Sequence, residues 1–182
     1  MSKSEGRFTT DRLVLRPVQE ADVQRYFDLN NDIRVQPTLT NEYIVPMGPP
    51  AIEKIRNIMY SALFGAVIET KGAGEWVGFT SFHLGNPKNR DVMFGIALSP
   101  EHWNKGYGTE ATKWMVDYAF QWLAMHRVSL GVFEFNEKAV DLYKRMGFVE
   151  EGRKRKCNWV DGRWTDIISM GILEEEWRAR QS

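Results

Sequence analysis

Apolar and polar positions along the chain set out a regular series of elements. Arg12-Leu13-Val14-Leu15-Arg16 sets apolar against basic residues and stops at Pro17, as a half-buried strand does. Over residues 20–29, Val23, Tyr26 and Phe27 fall at helical spacing, and a second helix fits residues 51–62 after the break Pro46-Met47-Gly48-Pro49-Pro50. Residues 64–69 and 76–84 are β-rich and joined by Lys71-Gly72-Ala73-Gly74, which predicts an antiparallel hairpin. A further strand runs over residues 92–98 and ends at Ser99-Pro100. The strongest helical pattern begins near Thr109, where Ala111, Trp114, Met115, Tyr118, Ala119, Trp122 and Leu123 repeat with the spacing of one wide buried face. Residues 128–133 read as a strand, residues 137–146 as a short helix closed by Gly147, and the stretch from Phe148 onward as two long strands turning at Asp161-Gly162.

The order is strand, two helices, three strands, helix, strand, helix, two strands. It predicts an α/β fold with a mixed sheet covered on both faces, and parallel neighbours where a helix intervenes. With 182 residues the whole chain, 1–182, fits a single domain. Apolar residues at 43% and charged residues at 26% exclude disordered and collagen-like classes.

Lys plus Arg and Asp plus Glu number 24 each, so no overall field would gather nucleic acid. The single cysteine, Cys157, cannot form an internal disulfide and suits a reducing compartment. Its neighbourhood and the three histidines lack metal-ligand spacing, so no metal site is expected. Residues 1–7 are polar without a signal peptide's apolar core, and no apolar run approaches the ~20 residues that span a bilayer. A cytoplasmic protein without membrane attachment is expected. The basic run Arg153-Lys154-Arg155-Lys156 reads as a solvated strand edge.

Chemistry concentrates where a strand passes through a short loop into the best helix, Ile96-Ala97-Leu98-Ser99-Pro100-Glu101-His102-Trp103-Asn104-Lys105-Gly106-Tyr107-Gly108-Thr109. The first amides of a helix lack intrahelical acceptors and lie at the positive end of its dipole, so a phosphate is favoured there. Gly106 and Gly108 admit close backbone approach, Asn104 tolerates a left-handed conformation, and Lys105 adds a charge. The segment has neither the Lys-Ser/Thr ending of a Walker loop nor the three glycines of a dinucleotide fingerprint.

This stretch resembles the acetyl-CoA pyrophosphate loop of the GNAT acetyltransferases. Asn136-Glu137-Lys138-Ala139-Val140-Asp141-Leu142-Tyr143-Lys144-Arg145-Met146-Gly147-Phe148 resembles their second hallmark, which gives a motif region over residues 92–148. The opening Thr10-Asp11-Arg12-Leu13-Val14-Leu15-Arg16-Pro17 is similar to the branch holding ribosomal-protein alanine and spermidine acetyltransferases. The resemblance implies the GNAT fold, a mixed, mostly antiparallel sheet of six to seven strands with helices on both faces. It also implies acetyl-CoA as co-substrate. The backbones of Trp103, Asn104, Lys105, Gly106, Tyr107, Gly108 and Thr109 would hold the pyrophosphate. Those of Ile96, Ala97 and Leu98 would pair with the pantetheine arm, which Asn136 would also contact. Where the common pattern has Arg or Gln three residues before the first glycine, this chain has Trp103, so side-chain help to the phosphates must come from elsewhere.

The implied reaction is direct attack of an amine on the thioester. Tyr143 would protonate the departing thiolate, although its helical spacing with Ala139 and Met146 would equally suit a core tyrosine. Asp91, bordering the central strand, is named as candidate base, yet no spacing separates it from Glu69, Glu75 and His83. A solvated turn residue explains Asp91 as well. The acceptor is an amine on a small molecule or a protein N-terminus, and Asp28, Asp32 and Glu42 stand where they could attract a cation. A monomer or homodimer is expected. A catalytically silent acyl-CoA-binding module is the rival from another class, and transfer of a longer acyl group is a second alternative.

Overall fold

The computed structural model describes residues 8–181; the polar stretch of residues 1–7 lies outside them. Seven strands form one sheet in the order β1-β2-β3-β4-β5-β7-β6, with β1 Leu13–Arg16, β2 Phe64–Thr70, β3 Trp76–Asn86, β4 Asp91–Leu98, β5 Arg127–Phe133, β6 Val149–Val160 and β7 Arg163–Leu173. The helices are α1 Glu20–Asn30, α2 Gln36–Leu39, α3 Pro50–Ser61, α4 Tyr107–Gln121, α5 Glu137–Met146 and α6 Glu174–Ala179. Among these strands only β4 and β5 pair in parallel. Intervening helices therefore predict parallel neighbours at one place and mislead at two. β1 and β2 pair antiparallel across three helices, and β7 inserts between β5 and β6. Asp161 and Gly162 both take the left-handed conformation that a two-residue hairpin turn between β6 and β7 needs.

Strand alternation sorts the residues of β3 and β4 onto two faces. Phe79, paired with Ala97, packs with Val23, Tyr26 and Phe27 of α1 and Ile55 and Met59 of α3. Ser81 pairs with Gly95 and His83 with Met93, so both histidine and serine share that face. Phe82, paired with Phe94, packs on the opposite face with Met115 and Ala119 of α4 and with Val140 and Tyr143 of α5. The sheet thus separates a chamber under α1 and α3 from the core under α4 and α5.

The apolar stripe of α4 is rotated from the expected one. Ala111, Met115 and Ala119 are fully buried, with Thr112, Val116 and Phe120 beside them, while Trp114 and Tyr118 stack 4.8 Å apart at the rim and Trp122 is 54% exposed. The helix carries apolar side chains on more than half of its circumference, so its sequence alone leaves the rotation open. The terminal helix α6 was not expected. Its three glutamates favour the positive end of a helix, Glu176 accepts from the Leu173 amide at 2.9 Å, and Trp177 stacks on Phe120 while donating to Asp117 at 2.8 Å. The basic run lies on the exposed edge strand β6.

Candidate active site

β4 and β5 pair only from Asp91 to Met93 on one side and from Arg127 to Ser129 on the other. Beyond Met93 they diverge, although β4 stays paired with β3 through Leu98. The edge of β4 facing β5 therefore offers backbone groups from Phe94 to Leu98 without a strand partner; apart from the Leu98 carbonyl, which a side chain engages, such groups need a polar ligand or water. The divergence opens a cleft of about 1050 Å³. Ile96, Ala97 and Leu98 line one wall, and Gly131 and Val132 of β5 belong to the other.

At the mouth of the cleft the loop turns into α4. Asn104 at φ 60° and Gly106 at φ 82° are both left-handed, which brings the amides of the first helical turn round to the cleft. Trp103, Asn104, Gly106, Tyr107, Gly108 and Thr109 line it, and Asn136, at the start of α5, does so from the far side. Lys105 is not among the lining residues; its carbonyl instead accepts from Arg12 Nη1 at 2.9 Å. Gly108 has a reason other than ligand approach, since a Cβ there would meet Leu98 Cδ1 at 3.3 Å and Leu142 Cδ1 at 3.7 Å. The Trp103 indole folds back and donates to the Leu98 carbonyl at 2.8 Å, bracing the loop.

Cations missing from the loop come from α5. Lys138 lines the cleft and donates to Asn104 Oδ1 at 2.9 Å, and Arg145 lines it further along. Two buried polar atoms on lining residues, His102 Nδ1 and Thr112 Oγ1, have no partner among the described residues. Left-handed loop, free strand edge, cations and orphaned polar atoms together fit a long, phosphorylated ligand with an amide-bearing arm.

Tyr143 stands where the strands part. Its ring lies edge-on to Phe94 at 6.3 Å and to Phe148 at 5.7 Å, and it lines the cleft. No described residue bonds its hydroxyl, and burial pushes its pKa up to about 12. A phenol held protonated in this way has a proton to offer at neutral pH and is no base there.

The remaining sequence candidates separate clearly. Asp91 sits at the paired end of β4, accepts from Ser129 Oγ at 2.6 Å, lies 3.7 Å from Arg127 and does not line the cleft. Its place removes it from the base's role. Glu69 is paired with Arg16 at 2.7 Å, and Glu75 is exposed in the β2–β3 turn. His83 alone of the four lines the cleft. Nothing in the sequence distinguished it, because the choice depends on strand register.

A cleft that sets a left-handed helix start and a free strand edge beside a buried phenol fits an acyl-CoA-dependent transferase. Comparison with known proteins agrees. The GNAT acetyltransferase domain matches residues 12–149, and the chain belongs to that family. It is 28% identical over 177 residues to an uncharacterised N-acetyltransferase, YoaA, of Bacillus subtilis, covering 91% of this chain and 95% of that one. It is 37% identical over 92 residues to the spermidine N(1)-acetyltransferase of Vibrio cholerae, about half of each chain (50% and 53%). The crystal structure of the Vibrio cholerae spermidine N-acetyltransferase with CoA and spermine superposes with a TM-score of 0.81 at 28% identity, covering 93% of this chain and 99% of that one. The protein is an acetyl-CoA-dependent N-acetyltransferase that moves an acetyl group to an amine, so the silent-module alternative falls. No helix among the described residues is long and apolar enough to cross a membrane.

Proposed function

We propose that this chain acetylates a primary amine carried on a small molecule or a protein N-terminus, with an apolar framework rather than a row of further ammonium groups. The amine enters from the α1 and α3 side of the sheet, and the thioester reaches it through the gap between β4 and β5. Ile96, Ala97, Leu98 and Asn136 hold the pantetheine arm. The turn from Trp103 to Thr109 takes the pyrophosphate, with Lys138 and Arg145 supplying the charge that Trp103 does not. Tyr143 protonates the leaving sulfur from the α5 side.

The observation that carries this reading is the parting of β4 and β5 after Met93, which leaves a free strand edge beside a buried, protonated Tyr143. For the acceptor the support is electrostatic. The acidic groups seen in the sequence are already engaged: Asp28 accepts from Gln24, Asp32 is paired with Arg34 at 2.5 Å, and Glu42 with Lys54 at 3.3 Å. On the α1 and α3 side the cleft is lined by Tyr26, Leu39, Ile58 and Phe79 together with Asn30 and Arg34, and that side contributes no carboxylate to the lining; Asp141 and Asp161 enter from the far side. A polyamine would need several carboxylates spaced along it, since each desolvated ammonium requires a partner.

Thiol release from acetyl-CoA, followed over a panel of monoamines, peptides with free N-termini and polyamines, tests the reading. Turnover of a monoamine or peptide with kcat/KM at least about 10-fold above that of spermidine, a preference of about 1.4 kcal/mol, is expected. The reverse order would overturn the acceptor assignment, and equal turnover by Tyr143→Phe would overturn the acid.

A further inference from the structure

We propose that His83 is the proton acceptor for the incoming ammonium, acting from the face of β4 opposite Tyr143. The proposal deepens the reading above and rests on the transfer site lying where β4 and β5 part.

Register places it. Ser81 pairs with Gly95 and His83 with Met93, and Met93 is the last β4 residue still paired with β5. At the Ser81–Gly95 rung both side chains are small; a Cβ on Gly95 would lie 3.6 Å from Ser81 Oγ, in ordinary contact. The rung leaves a space between Phe79 on one side and His83 on the other, on the α1 and α3 face. Tyr143 approaches the same stretch of β4 from the other face, against Phe94. An amine in that space has the imidazole on its own side of the strand and the phenol across it. The two proton transfers are thereby kept apart.

Its surroundings keep the imidazole neutral. Burial lowers the His83 pKa below the usual histidine value, and no charged neighbour contributes to the shift. From α1 the chamber receives Tyr26, whose pKa burial raises. From α3 it receives the apolar Ile58. Arg34 is held by Asp32, and Asp91 on the same face of β4 is held by Ser129 and Arg127. Lys138, Asp141 and Arg145 enter from α5, Asp161 from the β6–β7 turn and Arg163 from the start of β7.

The step balances as follows. An ammonium N–H breaks and its proton passes to the imidazole. The freed lone pair forms the C–N bond while the C–S pair goes to sulfur, which takes the Tyr143 proton. The nitrogen then gives its second proton to water, the phenolate regains one from water, and the imidazolium releases its own to solvent. One ammonium and one acetyl thioester become one amide, one thiol and one proton.

The test is the pH dependence of kcat/KM for an accepted amine at saturating acetyl-CoA between pH 7 and 9.5. An amine of pKa about 10.4 is almost wholly protonated across this range. With a base that deprotonates the bound ammonium, the wild-type profile is flat within about threefold. His83→Gln then depends on the free amine and climbs about tenfold per pH unit, with a deficit of about 10² to 10³-fold at pH 7. His83→Ala is rescued by added imidazole. A flat profile in His83→Gln, or a wild type that itself climbs tenfold per unit, overturns the proposal. Titration with coenzyme A checks that the variants keep cofactor affinity. Tyr143→Phe lowers the profile without changing its shape, so failure of His83 and failure of the acid assignment give different results.

Discussion

Arg12 and Glu110 join the first strand to the cofactor loop: Arg12 Nε lies 2.7 Å from Glu110 Oε2, while Arg12 Nη1 donates to the Lys105 carbonyl at 2.9 Å. Glu110 also accepts from the Arg12 amide at 2.8 Å and from Thr10 Oγ1 at 2.5 Å. One carboxylate in the first turn of α4 thus fixes the end of β1, and through Arg12 it fixes the peptide just before Gly106. Burial opposes ionisation of Glu110, but the bonds from Thr10 and Arg12 outweigh it and hold its pKa below the usual carboxylate range.

Loosening that tie should affect binding rather than chemistry. Arg12→Ala or Glu110→Gln is expected to raise the KM for acetyl-CoA about 10-fold, as the loss of charge-assisted bonds worth about 1.5 kcal/mol would. The kcat should stay within about twofold. Initial rates at varied acetyl-CoA, with one fixed acceptor, separate the two.

Gly106 is the position in the loop where a side chain is poorly tolerated. Its φ of 82° disfavours any L residue, and a Cβ would stand 3.1 Å from Arg12 Nη2. Gly106→Val should weaken coenzyme A binding by at least about 10-fold in a calorimetric titration, with backbone strain of about 1–3 kcal/mol lowering the melting temperature. Gly108→Ala, whose new methyl would press on Leu98, should cost less in binding than in packing.

Removing the phenol tests the acid. Tyr143→Phe should reduce kcat by about 10² to 10⁴-fold and leave coenzyme A affinity unchanged. Because burial holds this group near pKa 12, its proton stays in place through pH 10 in the wild type. Activity should therefore show no alkaline decline assignable to Tyr143 in that range, which a pH profile of kcat checks.

A buried ion network supports the chamber from beneath. Arg16 donates to both oxygens of Asp22, at 2.6 and 2.8 Å, and pairs with Glu69 at 2.7 Å. Burial pushes Asp22 toward the neutral form, but the bonds from Arg16 and the Gln19 amide prevail and its pKa is lowered. A carboxylate with a folded value below its unfolded one contributes its full stability above pH 4 and loses it as pH falls through the folded value. Asp22→Ala should destabilise the protein by about 1–3 kcal/mol at pH 7, because Arg16 keeps Glu69 but loses its two charge-assisted bonds to Asp22. Denaturant melts at pH 7 and pH 3 should show the gap from wild type narrowing at the lower value.

The turn into α4 was legible because its physics is local. A left-handed residue before a helix start calls for Asn or Gly, and the sequence has Asn104 and Gly106 where the backbone turns. The place of Tyr143 in the cleft wall was legible through the second motif. The acceptor half was not, since it depends on which residues register brings together. Asp91 and His83 look alike in a linear reading as polar groups beside strands. Two rungs of pairing decide that Asp91 faces Arg127 at the closed end and His83 faces the cleft. The Arg12–Glu110 tie spans 98 positions and left no signal either. Trp122 left its expected buried place for a related reason: periodicity reports that α4 has an apolar side wide enough for a core, and the neighbours decide where its centre falls.

The far wall of the cleft has an implication for how the molecule acquires its activity. β5 touches β4 only at its first residues, and its other edge is secured by β7, which follows α5 and β6 in the chain. During vectorial synthesis the phosphate turn and its helix can form while that wall still lacks its anchor. The ability to retain coenzyme A should therefore emerge only when the last strand docks, and in refolding it should trail the gain of helical circular dichroism.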